Sequence, residues 1–273
     1  MKKTDQPMRY FMHLAYRGAA YHGWQRQPGD ITVQQRVEEA LSTVLRHPVA
    51  VTGAGRTDAG VSASCMIAHF DTDVPTERVT SLPRSINSIL GQDIVVYGIV
   101  PVHPDAHARF DAAARTYRYY FALRRSPYSD GLVWFAPPSV DFDAMNRAAA
   151  ELLTTSDFTS FSKLHTDTKT NICRVTAASW MPVTPADAGR VPMGAEGYFE
   201  ITADRFLRNM VRAIVGTLVE VGRGKLSLEC FREVIGRRDR CAAGTSMPGG
   251  PLFLHNIQYP YPLDFEIYGR SYD

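Results

Sequence analysis

The sequence predicts an α+β fold made of two ferredoxin-like, split β-α-β halves, and three observations predict it. Strand, helix, strand, strand, helix, strand is legible between Tyr10 and Val100, the same order returns between Thr116 and Tyr259, and the turn residues Pro101 to Asp105 separate the two series. The expected division is therefore residues 1–105 for the first half and 106–273 for the second. A chain of 273 residues, 45% apolar and 21% charged, has the size and composition of an ordinary globular protein with one large domain or two modest ones.

In the first half, Tyr10 to Tyr16 reads as a strand closed by Gly18, and Tyr21 to Gly29 as a loop dense in aromatic and amide side chains. Such a loop suits base stacking, and it equally suits packing. Thr32 with Gln35 forms a capping box, after which Val33, Val37, Leu41, Val44 and Leu45 recur at helical spacing up to His47-Pro48. A short strand from Val49 to Thr52 leads into the loop Gly53-Ala54-Gly55-Arg56-Thr57-Asp58-Ala59-Gly60-Val61. Beyond it come a strand at Cys65 to Phe70, a helix at Glu77 to Leu90 and a strand at Ile94 to Val100.

The second series opens with a strand at Thr116 to Leu123. A helix at Phe142 to Leu153 and strands at Ile172 to Trp180 and Tyr198 to Ala203 follow, and then a helix at Phe206 to Val221 capped by Gly222. An extra helix near Leu228 to Ile235 precedes the last strand, Leu252 to Tyr259. The Pro/Gly-rich stretch Thr184 to Gly197 reads as a long, mobile hairpin insertion.

Composition removes several function classes. Cys65, Cys173, Cys230 and Cys241 show no CxxC spacing, which argues against zinc and a disulfide framework and for reduced, half-buried residues. His103 and His107 have ligand spacing on paper, but Pro101 and Pro104 oppose the helix that would bring them together. The apolar helix from Phe206 carries Arg208, Arg212 and Glu220, so no membrane span is expected. Met1 to Pro7 is charged with no long apolar run behind it; the reading is a frayed tail, no signal peptide and a cytoplasmic protein. Net charge is only +2, so nucleic-acid binding would have to come from local arginine patches.

The chemistry concentrates in the glycine-bracketed loop. Glycines allow a sharply bent loop that a ligand approaches closely, and Arg56 and Asp58 are its strongly functional groups. A carboxylate held there can be nucleophile, base or metal ligand, or simply cap its own turn. On the strand opening the second half, period two sets Arg115, Tyr117, Tyr119 and Phe121 on one face, with Tyr117 placed for the rim of a cleft or for an ordinary core. In the helix from Arg205, Arg205, Arg208 and Arg212 form a stripe opposite Leu207, Met210, Val211, Ile214 and Leu218. Arg212 lies deepest, one turn from Gly216, where the missing side chain admits another backbone or a carboxylate. His107-Ala108-Arg109-Phe110 offers phosphate-binding groups beside an aromatic.

These stretches, with Asp157-Phe158-Thr159-Ser160-Phe161 and Met210-Val211-Arg212-Ala213-Ile214-Val215-Gly216, occur in an order and across a span that resemble the tRNA pseudouridine synthases of the TruA family. GRTDAGV is the most specific match. The resemblance implies an isomerase that converts uridine to pseudouridine at positions 38 to 40 of the tRNA anticodon stem-loop, needing no cofactor, redox change or metal. It implies Asp58 as nucleophile, attacking the uracil ring or the ribose, Arg212 in a salt bridge with it, and Tyr117 stacked on the base. Arg56, His107, Arg109 and Phe110 would hold RNA. It further implies a homodimer in which the two halves of each chain form one continuous, mostly antiparallel sheet with the active site in the cleft between them. Three departures stand out: Ser62 follows GRTDAGV where the family commonly has histidine, Arg208-Asn209 precede MVR in place of an aromatic and a histidine, and the insertion around Thr184 to Gly197 is longer than the family leads one to expect. The competing reading is a non-catalytic RNA-binding module in which Asp58 only shapes its turn.

Overall fold

The computed structural model describes residues 7–129, 131–163, 170–187, 189–267 and 270–271. The tail expected to fray, apart from Pro7, and Ala188 of the 184–197 stretch lie outside them. The chain is α+β, with a mostly antiparallel sheet flanked by helices, and its contacts divide it into two units, Met1–Ala113 with Leu254–Asp273, and Ala114–Phe253.

The first unit is built on β1 (Met8–Tyr16), which buries Tyr10, Phe11 and Met12 in succession, on both faces, and then Leu14 and Tyr16 on alternate positions. Helix α1 (Val33–Leu45) starts where Thr32 Oγ1 accepts from Gln35 N–H, and buries Val33, Val37, Ala40, Leu41 and Leu45. Only half the capping box forms, because the Gln35 amide donates to Glu39 instead of turning back. Arg46, at φ 64°, ends the helix in the left-handed region. The strand expected at Val49 to Thr52 shrinks to β2 (Thr52–Gly53), paired with β3 (Ser62–Thr72). The helix expected over Glu77 to Leu90 is two, α2 (Thr76–Thr80) and α3 (Pro83–Ile89), since Pro83 lacks the N–H to continue α2 but suits a first turn. Strand β4 (Ile94–Pro101) pairs with β1 on the side opposite β3.

The second unit begins with β5 (Ala114–Ala122), which pairs in parallel with β6 (Trp134–Phe135). Helix α4 (Phe142–Ala150), capped by the Asp141 carboxylate, continues into a 3-10 turn at Glu151–Leu153. Strand β7 (Val175–Pro182) starts three residues later than expected, Ile172 making only an isolated bridge to Asp157. It pairs with β8 (Gly197–Ala203), which pairs in turn with β5. Phe121, Phe142, Trp180 and Phe199 interlock rings on one face, so β5, β7 and β8 bury that face beneath α4.

Helix α5 (Met210–Gly222) starts four residues later than the periodicity suggests. Asn209 sits at φ 66° and interrupts the helical path, so Arg205 and Arg208 lie in the approach loop and the three-arginine stripe does not form. The left-handed residue at its far end is Gly224 rather than Gly222, whose bare Cα packs against Met145 and Val140. Helix α6 (Leu228–Arg237) is capped by Ser227, and β9 (Leu252–Gln258) closes the series. The 184–197 stretch is tied down at both ends. Asp187 accepts from Thr184 N–H and from Arg118, and Glu196 takes the Leu123 N–H.

Candidate active site

The glycine-bracketed loop of the first unit is fixed by its backbone. Ala54 N–H donates to Ile67 C=O at 2.8 Å where the chain leaves β2, and Val61 N–H donates to Asp58 C=O at 3.1 Å, closing a turn in which Gly60 takes φ +77°. The Tyr21 to Gln27 loop lies against it. Trp24 N–H donates to Thr57 C=O, Gly60 N–H donates to Tyr21 C=O, and the hydroxyls of Tyr16 and Thr57 meet at 2.8 Å. Three glycines make this contact possible. A Cβ on Gly18 would lie 2.1 Å from Val61 O, one on Gly23 2.4 Å from Thr57 O, and one on Gly53 2.5 Å from the Trp24 ring. The result is a turn that presents a half-buried Asp58 and an exposed Arg56 from a buttressed backbone.

In the Tyr21 to Gln27 loop the rings of Tyr21 and Trp24 pack inward, while Gln25, Arg26 and Gln27 are exposed. Trp24 is 1% exposed, and Gln25, Arg26 and Gln34 join Glu38 in a set of hydrogen bonds that also takes the Val51 N–H. Ser62, the departure after GRTDAGV, is wholly buried and its Oγ accepts from Gly18 N–H at 3.0 Å, so it too holds the loop against β1's end.

His107, Arg109 and Phe110 share one tight turn, also in the first unit. His107 N–H donates to Asp111, and His107 Nδ1 accepts from the N–H groups of Arg109 and Phe110. Burial, then the nearby Arg9 guanidinium, lowers the His107 pKa, so the ring is neutral at pH 7 and organises the turn rather than supplying charge. Its ring stacks on Phe110 at 4.2 Å and meets His69 edge-on at 4.6 Å. His69, pushed by burial to a pKa of about 4, accepts the Ala108 N–H, and Tyr261 donates to Asp111. The groups left facing outward are the exposed Arg109 and a Phe110 that is 76% exposed.

Tyr117 and Arg212 belong to the second unit. Tyr117 is 8% exposed and meets the Phe206 ring edge-on at 5.0 Å. Arg212, in the first turn of α5, donates from Nε to Met247 C=O at 2.6 Å, while Met247 N–H donates back to Arg212 C=O. The group that approaches Gly216 is a backbone, the Thr245 carbonyl, which a Cβ there would meet at 1.9 Å. Gly244 N–H donates to Thr217 Oγ1 beside it, so the 244–247 segment runs along α5 and reaches Arg212. The Asp157 to Phe161 motif is structural: Asp157 caps its own turn, Phe158 and Phe161 are core, and Ser160 bonds Val234 C=O and Asp239 N–H. Among the described residues no three His, Cys, Asp or Glu side chains gather as metal ligands. All four cysteines are free, with Cys230 and Cys241 exposed rather than half-buried.

Residues 148–260 match the model of a family described as tRNA pseudouridine synthase. A tRNA pseudouridine synthase A of Parabacteroides distasonis is 53% identical over 255 residues, covering 93% of this chain and 97% of its own. Those of Porphyromonas gingivalis and Bacteroides thetaiotaomicron are each 54% identical, over 93% and 96% of this chain and 98% and 95% of theirs. The chain belongs to the tRNA pseudouridine synthase family. Sequence reasoning missed the parts that hold the expected residues in place, namely Trp24 beneath Gly53, Phe206 against Tyr117 and Met247 on Arg212. Trp24 lies inside a singled-out loop and Phe206 just before the Met210 to Gly216 motif, whereas Met247, far from both in sequence, carried no such signal.

Proposed function

We propose that the chain isomerises uridine to pseudouridine in tRNA, at positions 38 to 40 of the anticodon stem-loop, with Asp58 as the nucleophile. The observation that carries the reading is kinship over nearly the whole chain at 53% and 54% identity, in a chain whose Asp58 lies on a turn held by backbone hydrogen bonds. A stacked uridine has to be displaced before its ring is reached. The Asp58 carboxylate then attacks the ring or the ribose, the bond from nitrogen to the sugar breaks, the base turns, a carbon–carbon bond to the sugar forms and the bond to Asp58 breaks, returning the free carboxylate. The base carbon loses a proton and the freed ring nitrogen takes one up, so no atom or electron is gained or lost overall and the reaction is an isomerisation. Arg212 pairs with the carboxylate, Tyr117 stacks on the base, and Arg56, His107, Arg109 and Phe110 hold the RNA, with Phe110 as the stacking face and Arg109 toward phosphate. The enzyme works as a cytoplasmic homodimer.

The test is pseudouridine mapping in tRNA from cells with and without the protein. Loss confined to positions 38 to 40 is expected; loss elsewhere, or none, overturns the assignment. A non-catalytic RNA-binding module would leave the map unchanged.

A further inference from the structure

Three buried polar atoms have no hydrogen-bond partner among the described residues: His13 Nε2, Trp180 Nε1 and Tyr119 Oη. The first two sit in aromatic clusters, His13 against Tyr97 and Phe265 and Trp180 against Phe121, Phe142 and Phe199. Tyr119 has different surroundings. It is wholly buried on β5, two residues after Tyr117 and on the same face, directly opposite Phe199. Burial pushes its phenol pKa up, and the Arg212 guanidinium is close enough to pull it part of the way back. Phenylalanine occupies the neighbouring buried positions of this face, at Phe121 and Phe199. At position 119 it would fill nearly the same volume without leaving a hydroxyl unsatisfied. The hydroxyl therefore weakens the resting fold and gains a return only where it meets a partner.

We propose that Tyr119 is a positioning residue for Arg212: with tRNA bound, its hydroxyl oxygen accepts a hydrogen bond from the guanidinium, directly or through one water. Arg212 already donates Nε–H to the Met247 carbonyl. A second acceptor from β5 fixes the plane of the guanidinium as well as its position. The inference rests on the role proposed above for Arg212. It adds that the strand carrying the base-stacking Tyr117 also sets the geometry of the paired arginine, two residues further on.

The test compares Tyr119→Phe, Arg212→Lys, the double variant and Arg212→Ala in single-turnover pseudouridine formation, tRNA affinity and thermal stability. Tyr119→Phe is expected to slow the chemical step about tenfold, the worth of one hydrogen bond to a charged group. Its tRNA affinity should stay within about twofold and its Tm should be unchanged or higher. The double variant should be no slower than Arg212→Lys alone, because both changes disturb one interaction. A wild-type rate for Tyr119→Phe, losses that multiply, a loss in affinity alone, or a lowered Tm each overturns the inference. If Arg212→Ala is inactive while Tyr119→Phe is fully active, only the Tyr119 inference fails. If Arg212→Ala keeps the wild-type rate, the Arg212 reading fails with it.

Discussion

Asp58 stands out in the sequence because its neighbours are unusual, a lone carboxylate among glycines, and the role proposed for it comes from the resemblance that the motif carries. Trp24 was not legible. An aromatic in a polar loop looks the same in sequence whether it faces solvent or fills a gap, and here it lies under Gly53, with a Cβ at that glycine only 2.5 Å from the ring. Gly53→Ala is expected to destabilise the protein by about 1–3 kcal/mol through this overlap, since a ring that is 1% exposed has little room to retreat. Activity of the folded fraction should fall as well, because the backbone N–H that holds Thr57 belongs to the same residue as the displaced ring. Denaturant unfolding checks the first part and rate per folded molecule the second. His107 shows a related limit: its pattern suggested a phosphate-binding group and gave no sign that Nδ1 also organises the turn.

Most elements were legible from periodicity, and the misses share a cause: period reports which face is apolar, not where a backbone turns aside. Pro83 split one expected helix, and Asn209 at φ 66° delayed another by four residues. That delay took Arg205 and Arg208 off α5 and left Arg212 as the arginine of its first turn. Asn209→Ala is expected to cost about 1–2 kcal/mol, from left-handed strain and the lost amide bond to Ser246. Asn209→Gly should recover most of the strain part, and thermal unfolding of both variants separates the two contributions. Gly216→Ala is a harsher change. Its Cβ would overlap the Thr245 carbonyl, so the 244–247 segment has to shift, with an expected loss of about 2–4 kcal/mol by denaturant unfolding and a lower rate through Met247 on Arg212.

For the whole molecule, the α+β class followed from the alternation of element types, whereas partner choice did not, because β9 takes its place in the sheet beside β3, far from it in sequence. Acid stability is a property at this scale. Burial holds His13 and His69 neutral, with pKa values lowered from the ordinary 6.5 to about 4. The unfolded chain protonates both below 6.5 while the folded one resists until about 4, so stability falls as pH drops through that window. Asp71, held low first by its hydrogen bond from Arg9, adds its own loss only at pH below the ordinary carboxylate range. Tm is therefore expected to drop by about 3 °C or more between pH 7 and pH 5, with a shallower slope in His13→Leu. A flat profile would contradict the neutral, buried histidines.

The central claim is that Asp58 attacks the nucleotide, and one measurement addresses it directly: single-turnover pseudouridine formation by Asp58→Asn on a tRNA carrying an anticodon stem-loop uridine, with affinity measured on the same sample. Asparagine keeps the size and removes the nucleophile, so binding within about threefold of wild type and a rate reduced by at least about 1000-fold are expected. Product formed at the wild-type rate would contradict the assignment.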